Sequence, residues 1–337
     1  MTIQFVKTEV IPYGMAPAGE KEALHVVEIC GRTAYKSEDK MTEDSARSFV
    51  LALKKLGHLS VLEHSNIVLK VDRNTASPPG VFDGKQFGQE LISVIKDRLS
   101  YHRVSPVPEA GSDALAVAGN FRSWIETVAF LKQSQPEHHR LFAYHLNRFF
   151  PNLFESAPFD PEASACRITL MQEAEQMEEL RRDPWSDLPV FIFKFICDRG
   201  ITHEVVRHRV FSFTQESTRY VNYQNRGMTL ILPEELHPFY DFEKLEFIRG
   251  DPLVDSWRSR ALTLFQWYQE DLGRGLKPEI ARDILPNLLK SEIFVSGRWS
   301  GWKHFIELRD SPKAHPRIRY VARETRKYFD SIGMSCS

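Results

Sequence analysis

The sequence predicts an α+β fold in which helices cover an antiparallel sheet. Two observations favour this class. Apolar segments typical of strands, at residues 65–72 and 189–197, are separated by segments with helical periodicity, and the last third of the chain is mostly helical in pattern. Neither GxGxxG nor a GxxxxGKS or GxxxxGKT motif occurs, so a nucleotide-binding βαβ fold is not expected.

Local signals place the elements along the chain. A strand near residues 3–11 leads to a helix around 18–31. A second helix starts at Thr42, which suits an N-cap, and ends at Lys55 before Gly57, which favours a helix stop. The further predicted elements are a strand at 65–72, helices at 84–99, 122–133 and 136–149, a strand at 189–197, a short helix at 201–207, a loop at 212–217, and helices at 253–273, 277–290, 299–308 and 316–331.

Composition limits the classes of protein to consider. With 337 residues, 42% of them hydrophobic, the chain can bury one large core or two smaller ones. A formal net charge of −1 provides no positive electrostatic potential that would attract DNA or an anionic membrane, so neither is an expected partner. Because there is neither a long uninterrupted apolar run nor a secretory leader, we expect a soluble cytoplasmic protein.

The four cysteines, at positions 30, 166, 197 and 336, are widely separated and form no CxxC pair. This spacing favours reduced thiols in the cytosol over a disulfide framework or a metal site. Cys197 ends an apolar strand, so we expect it in the core rather than acting as a nucleophile.

The segment Arg207-His208-Arg209 is followed after seven residues by Ser217-Thr218-Arg219. Guanidinium groups match phosphate oxygens two at a time, so this density of cations and hydroxyls predicts a phosphate-bearing ligand. The alternative is that these cations lie on an exposed helix face, where water solvates them and weakens their mutual repulsion. The preceding apolar run and the turn signal at 198–200 argue against it, since they place the cations at the rim of a buried sheet.

The string from Arg207 to Tyr220 resembles the signature of the flavin-dependent thymidylate synthases, an Arg-His-Arg separated by seven or eight residues from Ser-x-Arg. Residues 57–64 and 280–309 look like two further segments of that family. The resemblance covers about residues 20 to 72 and 189 to 328. It implies a single catalytic domain over residues 1–337, with a mostly helical insertion at 73–188.

The resemblance implies an enzyme that adds a methyl group to C5 of the uracil of a uridylate, dUMP or UMP. The family takes one carbon from 5,10-methylenetetrahydrofolate and passes a hydride from NADPH through FAD. It builds its sites between subunits, which implies a homo-oligomer, either a tetramer or a dimer.

Residue roles follow from the same resemblance. Arg309 is assigned to the pyrimidine edge as the catalytic residue, because a fixed cation there stabilises negative charge that develops at N3 and O4. The implied substrate-binding residues are Glu204, Arg207, Gln215, Glu216, Ser217, Arg219, Arg282 and Arg309. The implied cofactor-binding residues are His58, Ser60, Arg207, His208, Arg209, Gln215, Arg298 and His304. No metal ligands are predicted.

Some positions have simpler interpretations. The resemblance assigns Arg282 to a phosphate site shared with a neighbouring subunit, and the less favoured alternative is a solvated cation on a helix face. His64 fits a buried residue that satisfies a backbone group beside Glu63.

Two departures from the family bear on cofactor and substrate. Where many members carry asparagine and, two places later, arginine, this chain has Arg298 and Ser300, which puts the flavin contacts there in doubt. The changed site and the insertion leave room for a UMP-preferring methylase of a modified-nucleoside pathway.

Within the insertion, the segment Gly119–Trp124 is similar to Gly297–Trp302, because both have glycine first, an aromatic residue third and tryptophan sixth. Packed aromatic residues at two helix starts explain the similarity. The rival hypothesis is that Asn120 and Arg122 reach the flavin or nucleotide site.

Another class of protein also remains open from the sequence. An RNA- or nucleotide-binding protein could grip backbone phosphates with the Arg-His-Arg segment, although the near-zero net charge weighs against it. A metal-dependent hydrolase is weaker still, since His203 and His208 are five residues apart and no HExxH pattern occurs.

Overall fold

The computed structural model describes residues 3–73, 83–95, 102–107, 114–219, 223, 227–248 and 250–335. It confirms a mixed fold of helices and sheets, in which both four-stranded sheets are antiparallel and one two-stranded sheet, Ile3–Val6 with Met228–Ile231, is parallel. The helices of seven or more residues are α1 (Glu20–Tyr35), α2 (Ser45–Leu56), α3 (Gly84–Ile95), α4 (Phe121–Ser134), α5 (Pro136–Phe149), α6 (Glu173–Arg182), α7 (Arg199–Val205), α8 (Pro252–Gly273), α9 (Trp299–Arg309) and α10 (Pro316–Ser331). The strands are β1 (Ile3–Val6), β2 (Glu9–Met15), β3 (Ile67–Arg73), β4 (Arg103–Pro106), β5 (Leu115–Gly119), β6 (Cys166–Leu170), β7 (Val190–Asp198), β8 (Ser212–Gln215), β9 (Met228–Ile231), β10 (Tyr240–Asp241), β11 (Glu246–Phe247) and β12 (Lys290–Arg298).

The first four-stranded sheet has the order β2-β7-β12-β8, and every neighbouring pair is antiparallel. Its centre is the pairing of β7 with β12, which runs from Val190 opposite Arg298 to Asp198 opposite Lys290. The two strands lead directly into α7 and α9. Because the strands are antiparallel, these two helices leave the sheet at opposite ends.

The predicted helix at 277–290 is wrong. The structure has a four-residue helical turn, Pro278–Ala281, then a 3-10 turn, Arg282–Ile284, and strand β12 begins at Lys290. Pro286 explains the break, because proline has no N–H to donate and disfavours helical geometry at the residue before it. Leu285 accordingly has an extended backbone, with ψ of 139°.

The predicted loop at 212–217 is a strand over its first four residues. Strand β8 pairs with β12 from Ser212 opposite Ser296 to Gln215 opposite Ile293. The hydroxyl-rich composition of the segment suggested a loop, but the edge of β12 supplies hydrogen-bond partners for its backbone, and tertiary pairing outweighs propensity.

The insertion is helical in part and also builds most of a second sheet. This sheet has the antiparallel order β4-β5-β3-β6, in which only β3 comes from outside residues 73–188. Strand β5 is a five-residue run of small and aliphatic residues, and such short runs cannot be told from helix segments by periodicity. Helix α3 is described to Ile95, and residues 96–99 of the predicted helix lie outside the described part of the chain.

Two apolar clusters flank the candidate site. One, around Trp124 and Phe142, joins the insertion helices to α1, α2 and β3. The other lies between β7, β12, α9 and α10, with Phe193 and Trp302 fully buried at its centre. Cys197 belongs to this second cluster, as expected, and burial raises the pKa of its thiol far above the ordinary value. Cys336 lies outside the described residues. In the described ranges no helix combines the length and apolar character needed to cross a bilayer.

Candidate functional site

The short helix α7 begins directly after β7, and the motif residues Arg207, His208 and Arg209 follow its last turn. Asp198 is its N-cap: one carboxylate oxygen accepts from Ile201 N at 2.9 Å, and the other accepts from Arg317 Nη1 at 2.8 Å. Ile201 and Val205 are buried against the second apolar cluster, so the helix cannot rotate freely. Arg207 and Arg209 follow its last turn with exposed side chains.

Arg309, the last residue of α9, meets the motif helix. Its Nε donates to His208 Nε2 at 2.9 Å, and its Nη1 donates to Glu204 Oε2 at 3.0 Å. These residues are 101 and 105 positions apart in the chain. Burial, helped by Arg309 and His304, lowers the pKa of His208 to about 4. The imidazole is therefore neutral at pH 7 and has a lone pair for Arg309.

Phe211 fixes the loop that follows the motif arginines. Its ring packs on Trp302 with centroids 4.3 Å apart. A Cβ built on Gly297 would overlap the Phe211 ring, and one on Gly301 would lie 2.9 Å from Phe211 Cε1. The two glycines therefore let the aromatic ring approach the backbone of β12 and α9 closely.

We expect Gly297→Ala to destabilise the protein by about 1–3 kcal/mol, because Phe211 has to leave a packed position. The free energy of unfolding from urea titrations measures this loss. Gly273→Ala is the matched control, since a Cβ there meets nothing within 4 Å. Equal stability of the two variants would contradict the close approach.

A cavity of about 530 Å³ lies beside β8, the end of α1 and the 3-10 turn Leu59–Glu63. The predicted residues His58, Ser60 and Gln215 line it, together with Arg122 of the insertion. The Gln215 amide nitrogen donates to the hydroxyls of Thr202 and Ser291, at 2.9 Å each.

His64 lies buried behind this cavity. Its Nδ1 is 2.6 Å from Ser296 Oγ, and its Nε2 is 2.8 Å from Thr214 Oγ1. The simpler interpretation of a buried, satisfied histidine therefore holds, but its partners are two side-chain hydroxyls and not a backbone group. Burial lowers the pKa of His64 to about 3, so it is a neutral link between β12 and β8.

The second half of the motif meets Arg282. Ser217 N donates to Ala34 O at 3.0 Å, which holds the segment against the end of α1. Arg282 Nη1 donates to Thr218 Oγ1 at 2.9 Å, and Arg219 Nη2 lies 3.8 Å from a Glu279 carboxylate oxygen. Arg282 therefore contacts the motif within one chain and is not only a solvated cation.

Glu216 lies in a buried charge cluster that sequence reasoning missed. Its carboxylate is 3.2 Å from Lys290 Nζ and 3.7 Å from Lys36 Nζ. Glu292 pairs with Lys36, Lys194 and Lys290 in the same cluster. Burial raises the pKa of the Glu292 carboxyl, but the three lysines outweigh burial and lower it far below its usual range. A lysine inside the apolar run 191–196 was the available signal.

Residues 183–332 match the family model described as "Thymidylate synthase complementing protein". A flavin-dependent thymidylate synthase of Pyrococcus abyssi is 35% identical over 128 residues, which are 37% of this chain and 48% of that protein. One from Mycobacterium tuberculosis is 30% identical over 138 residues, 40% of this chain and 54% of that protein. The predicted resemblance is confirmed over this segment.

The chain spans about half the length of the curated relatives it matches. A solved UMP/dUMP methylase, PolB from Streptomyces cacaoi bound with 5-Br UMP, is 21% identical, covers 47% of this chain and 80% of its own, and has a TM-score of 0.36. A TM-score this low supports no statement about ligands. The resemblance of residues 20–72 stays a prediction, because the family model matches from residue 183 onward.

The departures from the flavin-dependent thymidylate synthases have a structural explanation. Arg298 Nη1 donates to the carbonyls of Asp187 at 2.9 Å and Leu188 at 2.7 Å, and Ser300 Oγ donates to Asp187 Oδ2 at 2.6 Å. Asp187 has a left-handed backbone, with φ of 46°. Both departures thus fasten the last residues of the insertion to the start of α9.

A second cavity, of about 410 Å³, lies next to this contact. Arg209, Ser212 and Arg298 line it from the matched segment, and Glu63 and Asn120 line it from the earlier part of the chain. His304 is exposed, with its ring centroid 6.3 Å from that of His208. Among the described residues, no group of three or more His, Cys, Asp or Glu side chains is arranged to hold a metal ion.

Proposed function

We propose that the protein is an FAD-dependent methyltransferase of the flavin-dependent thymidylate synthase type, acting on C5 of the uracil of a uridylate. The observation that carries this proposal is the contact of Arg309 with Glu204 and His208. It unites the predicted catalytic cation with the Arg-His-Arg segment, inside a stretch similar to that family.

Arg309 would stabilise the negative charge that develops on the pyrimidine when C5 becomes nucleophilic. Glu204 and neutral His208 hold its guanidinium in one orientation, so little reorganisation is needed as charge appears. A cysteine nucleophile finds no support among the described residues, because burial raises the thiol pKa of Cys30, Cys166 and Cys197. When bound, the flavin supplies the hydride that reduces the transferred carbon.

The two cavities support a flavin site in their donor chemistry. The first offers hydroxyl, imidazole and amide groups from Ser60, His58 and Gln215. The second offers the guanidinium groups of Arg209 and Arg298, which suit phosphate oxygens, although Arg298 already donates to two carbonyls. With Arg207, His208 and His304, these residues would hold FAD. NADPH and 5,10-methylenetetrahydrofolate complete the proposed cofactors.

Ser217, Arg219 and Arg282 would bind the uridylate phosphate, since their hydroxyl and guanidinium groups lie around one short segment. Arg207, Arg209 and Arg219 have exposed side chains and could face another subunit. We therefore infer a homo-oligomer, a tetramer or a dimer, with sites between subunits. The scattered cysteines without a CxxC pair support a cytoplasmic location. Nucleic acid and membrane are not among the proposed partners. Residues 1–337 would form one catalytic domain of this fold, with residues 73–188 inserted.

The deciding experiment is turnover with dUMP and with UMP, in the presence of methylenetetrahydrofolate, NADPH and FAD. We expect a yellow protein with flavin absorption bands and a methylated product from dUMP. A product from UMP alone would identify the modified-nucleoside alternative. A colourless protein without turnover, which binds RNA more weakly as salt rises, would overturn the proposal in favour of a phosphate-gripping binding protein.

A further inference from the structure

Arg122 stands on the first turn of α4, inside the insertion, and its position is fixed from several sides. Phe121 N donates to Ser65 Oγ at 2.8 Å, and the Asn120 side chain caps the helix by accepting from Ser123 N at 2.8 Å. Trp124 is almost fully buried in the apolar cluster beneath. The backbone of Arg122 is therefore tied to the turn and strand that precede the insertion.

The side chain of Arg122 lies between two carboxylates. Its Nη1 donates to Glu63 Oε1 at 2.7 Å, and its Nε donates to Glu126 Oε1 at 2.9 Å. Glu63 also accepts from Ser212 Oγ, at 2.8 Å, so the ion pair is linked to strand β8. About a third of the Arg122 side chain remains exposed.

Arg122 places a guanidinium group on the wall of the 530 Å³ cavity. Of the described residues that line this cavity, Arg122 alone carries a permanent charge, and no carboxylate lines it. The other polar groups are the hydroxyls of Tyr35, Ser60 and Thr214, the Gln215 amide and the His58 imidazole. Because Glu63 and Glu126 already accept from Arg122, an anionic ligand would bind there by replacing one of these carboxylates as the partner of the guanidinium.

The Arg122–Glu63 pair has one member on the wall of each cavity. Arg122 lines the 530 Å³ cavity, whereas its partner Glu63 lines the 410 Å³ cavity beside Arg209 and Arg298. A ligand with an anionic centre and an extended body on each side would occupy both cavities by accepting from Arg122 in place of Glu63. The Glu63 carboxylate, which also accepts from Ser212, would then have to turn away from the anion. Arginine suits such an exchange, because its fork binds carboxylate and phosphate oxygens in the same way.

We propose that Arg122 is a phosphate ligand that the insertion contributes to the candidate site. The ligand is the diphosphate of a flavin dinucleotide, whose two halves would extend into the two cavities. The uridylate phosphate is assigned to Ser217, Arg219 and Arg282, which do not line the 530 Å³ cavity. This inference rests on the proposed function. It assigns the insertion a part in ligand recognition, because the motif residues Arg207 and Arg209 do not line this cavity.

The test compares ligands with and without phosphate on full-length protein. Dissociation constants of FAD, riboflavin, dUMP and deoxyuridine are measured for the wild type and for Arg122→Met, which keeps an unbranched apolar stem. We expect the affinity for FAD to fall about 10- to 100-fold, the range for hydrogen bonds to a charged group, whereas the affinity for dUMP should not change. Arg122→Lys should retain part of the affinity for FAD. The phosphate-free counterparts, riboflavin and deoxyuridine, should bind unchanged.

A loss of affinity for dUMP in place of FAD would overturn the assignment to the flavin diphosphate. Arg148→Met is the matched control, because Arg148 is exposed on insertion helix α5 and lines neither cavity. Unchanged affinities for both FAD and dUMP would overturn the inference while leaving the proposed function intact. An equal loss for riboflavin and FAD would overturn it too, since it would indicate a collapsed cavity. A wild-type protein that binds neither FAD nor dUMP would overturn the proposed function, and the inference with it.

A double variant separates Arg122 from the carboxylate that it neutralises. Removing Arg122 alone leaves Glu63 unpaired at the wall of the second cavity, where it would itself repel a phosphate. In Arg122→Met with Glu63→Gln that repulsion is absent. A ligand affinity that stays low supports direct binding by Arg122, and a return to the wild-type value would overturn it.

Discussion

Arg309→Ala is expected to lower the turnover number for uridylate methylation by about 100- to 1,000-fold, as does the loss of one preorganised transition-state donor in other enzymes. The guanidinium is the group that would face the developing charge, and three hydrogen bonds from this side chain, to His208 and Glu204, fix its direction. Arg309 lines neither cavity that would hold the flavin and reaches the flavin site only through His208, so the affinity for FAD should fall far less than the turnover number. Steady-state rates with dUMP and flavin titrations measure the two quantities separately.

The control for this variant has to exclude general damage. Arg260→Ala removes an exposed arginine from α8 and should leave the rate unchanged. Arg309→Lys keeps the charge but loses the planar fork, so an intermediate rate is expected. An Arg309→Ala protein that folds, binds FAD and turns over at the wild-type rate would remove Arg309 from the chemistry.

Local signals in the sequence predicted much of the fold. The predicted helices at 253–273, 299–308 and 316–331 agree with α8, α9 and α10 to within one residue. The structure also confirms Gly57 as the stop of α2, with φ of 74°. These elements carry their own periodicity, proline starts or glycine stops, so they needed no knowledge of tertiary contacts.

The elements that were missed depend on distant partners. Strand β8 exists because β12 offers it an edge, and β5 pairs with β3 across a long segment of the insertion. Neither pairing leaves a local pattern. The helix predicted at 277–290 failed at Pro286, where a covalent restriction on the backbone outweighed an otherwise helical composition.

The candidate site also has contacts that the sequence predicted and contacts that it did not. The resemblance singled out Arg309, Glu204 and His208, and the structure brings their side chains together. It gave no reason to expect Glu216 among lysines or Arg298 on the carbonyl groups of the insertion. In those contacts a side chain forms an ion pair or a hydrogen bond with neighbouring residues that are particular to this chain. No motif predicts such neighbours.

Acid should unfold this protein through histidines that are buried in the neutral form. Burial lowers the pKa of His64 to about 3, and burial with Arg298 lowers that of His102 to about 3. The same effect lowers the pKa of His145 and His208 to about 4. Because the unfolded chain takes up these protons near pH 6.5 and the folded chain does not, the stability is complete above pH 6.5. It is lost as the pH falls toward the folded values.

The expected loss of stability in acid is large compared with the free energy of unfolding of a typical domain. Each fully buried histidine costs about 1.4 kcal/mol per pH unit below 6.5, so His64 and His102 together remove about 5 kcal/mol between pH 6.5 and pH 4.5. A typical domain is stable by only about 5–15 kcal/mol. Free energies of unfolding from urea titrations at pH 7.5, 6.5, 5.5 and 4.5 should therefore decline steeply across this range.

His64→Gln tests the assignment to a particular side chain. The amide can still bond to Ser296 and Thr214, the present partners of the imidazole, but it takes up no proton in the unfolded state. We expect this variant to be less stable at pH 7.5, yet to lose stability with acid more slowly, by about 1.4 kcal/mol per pH unit. His25→Gln, at an exposed position on α1, should keep the wild-type slope. If the free energy of unfolding falls with pH equally steeply in both variants, His64 does not contribute to the loss of stability in acid. His64 would then not be a neutral, hydrogen-bonded link between β12 and β8.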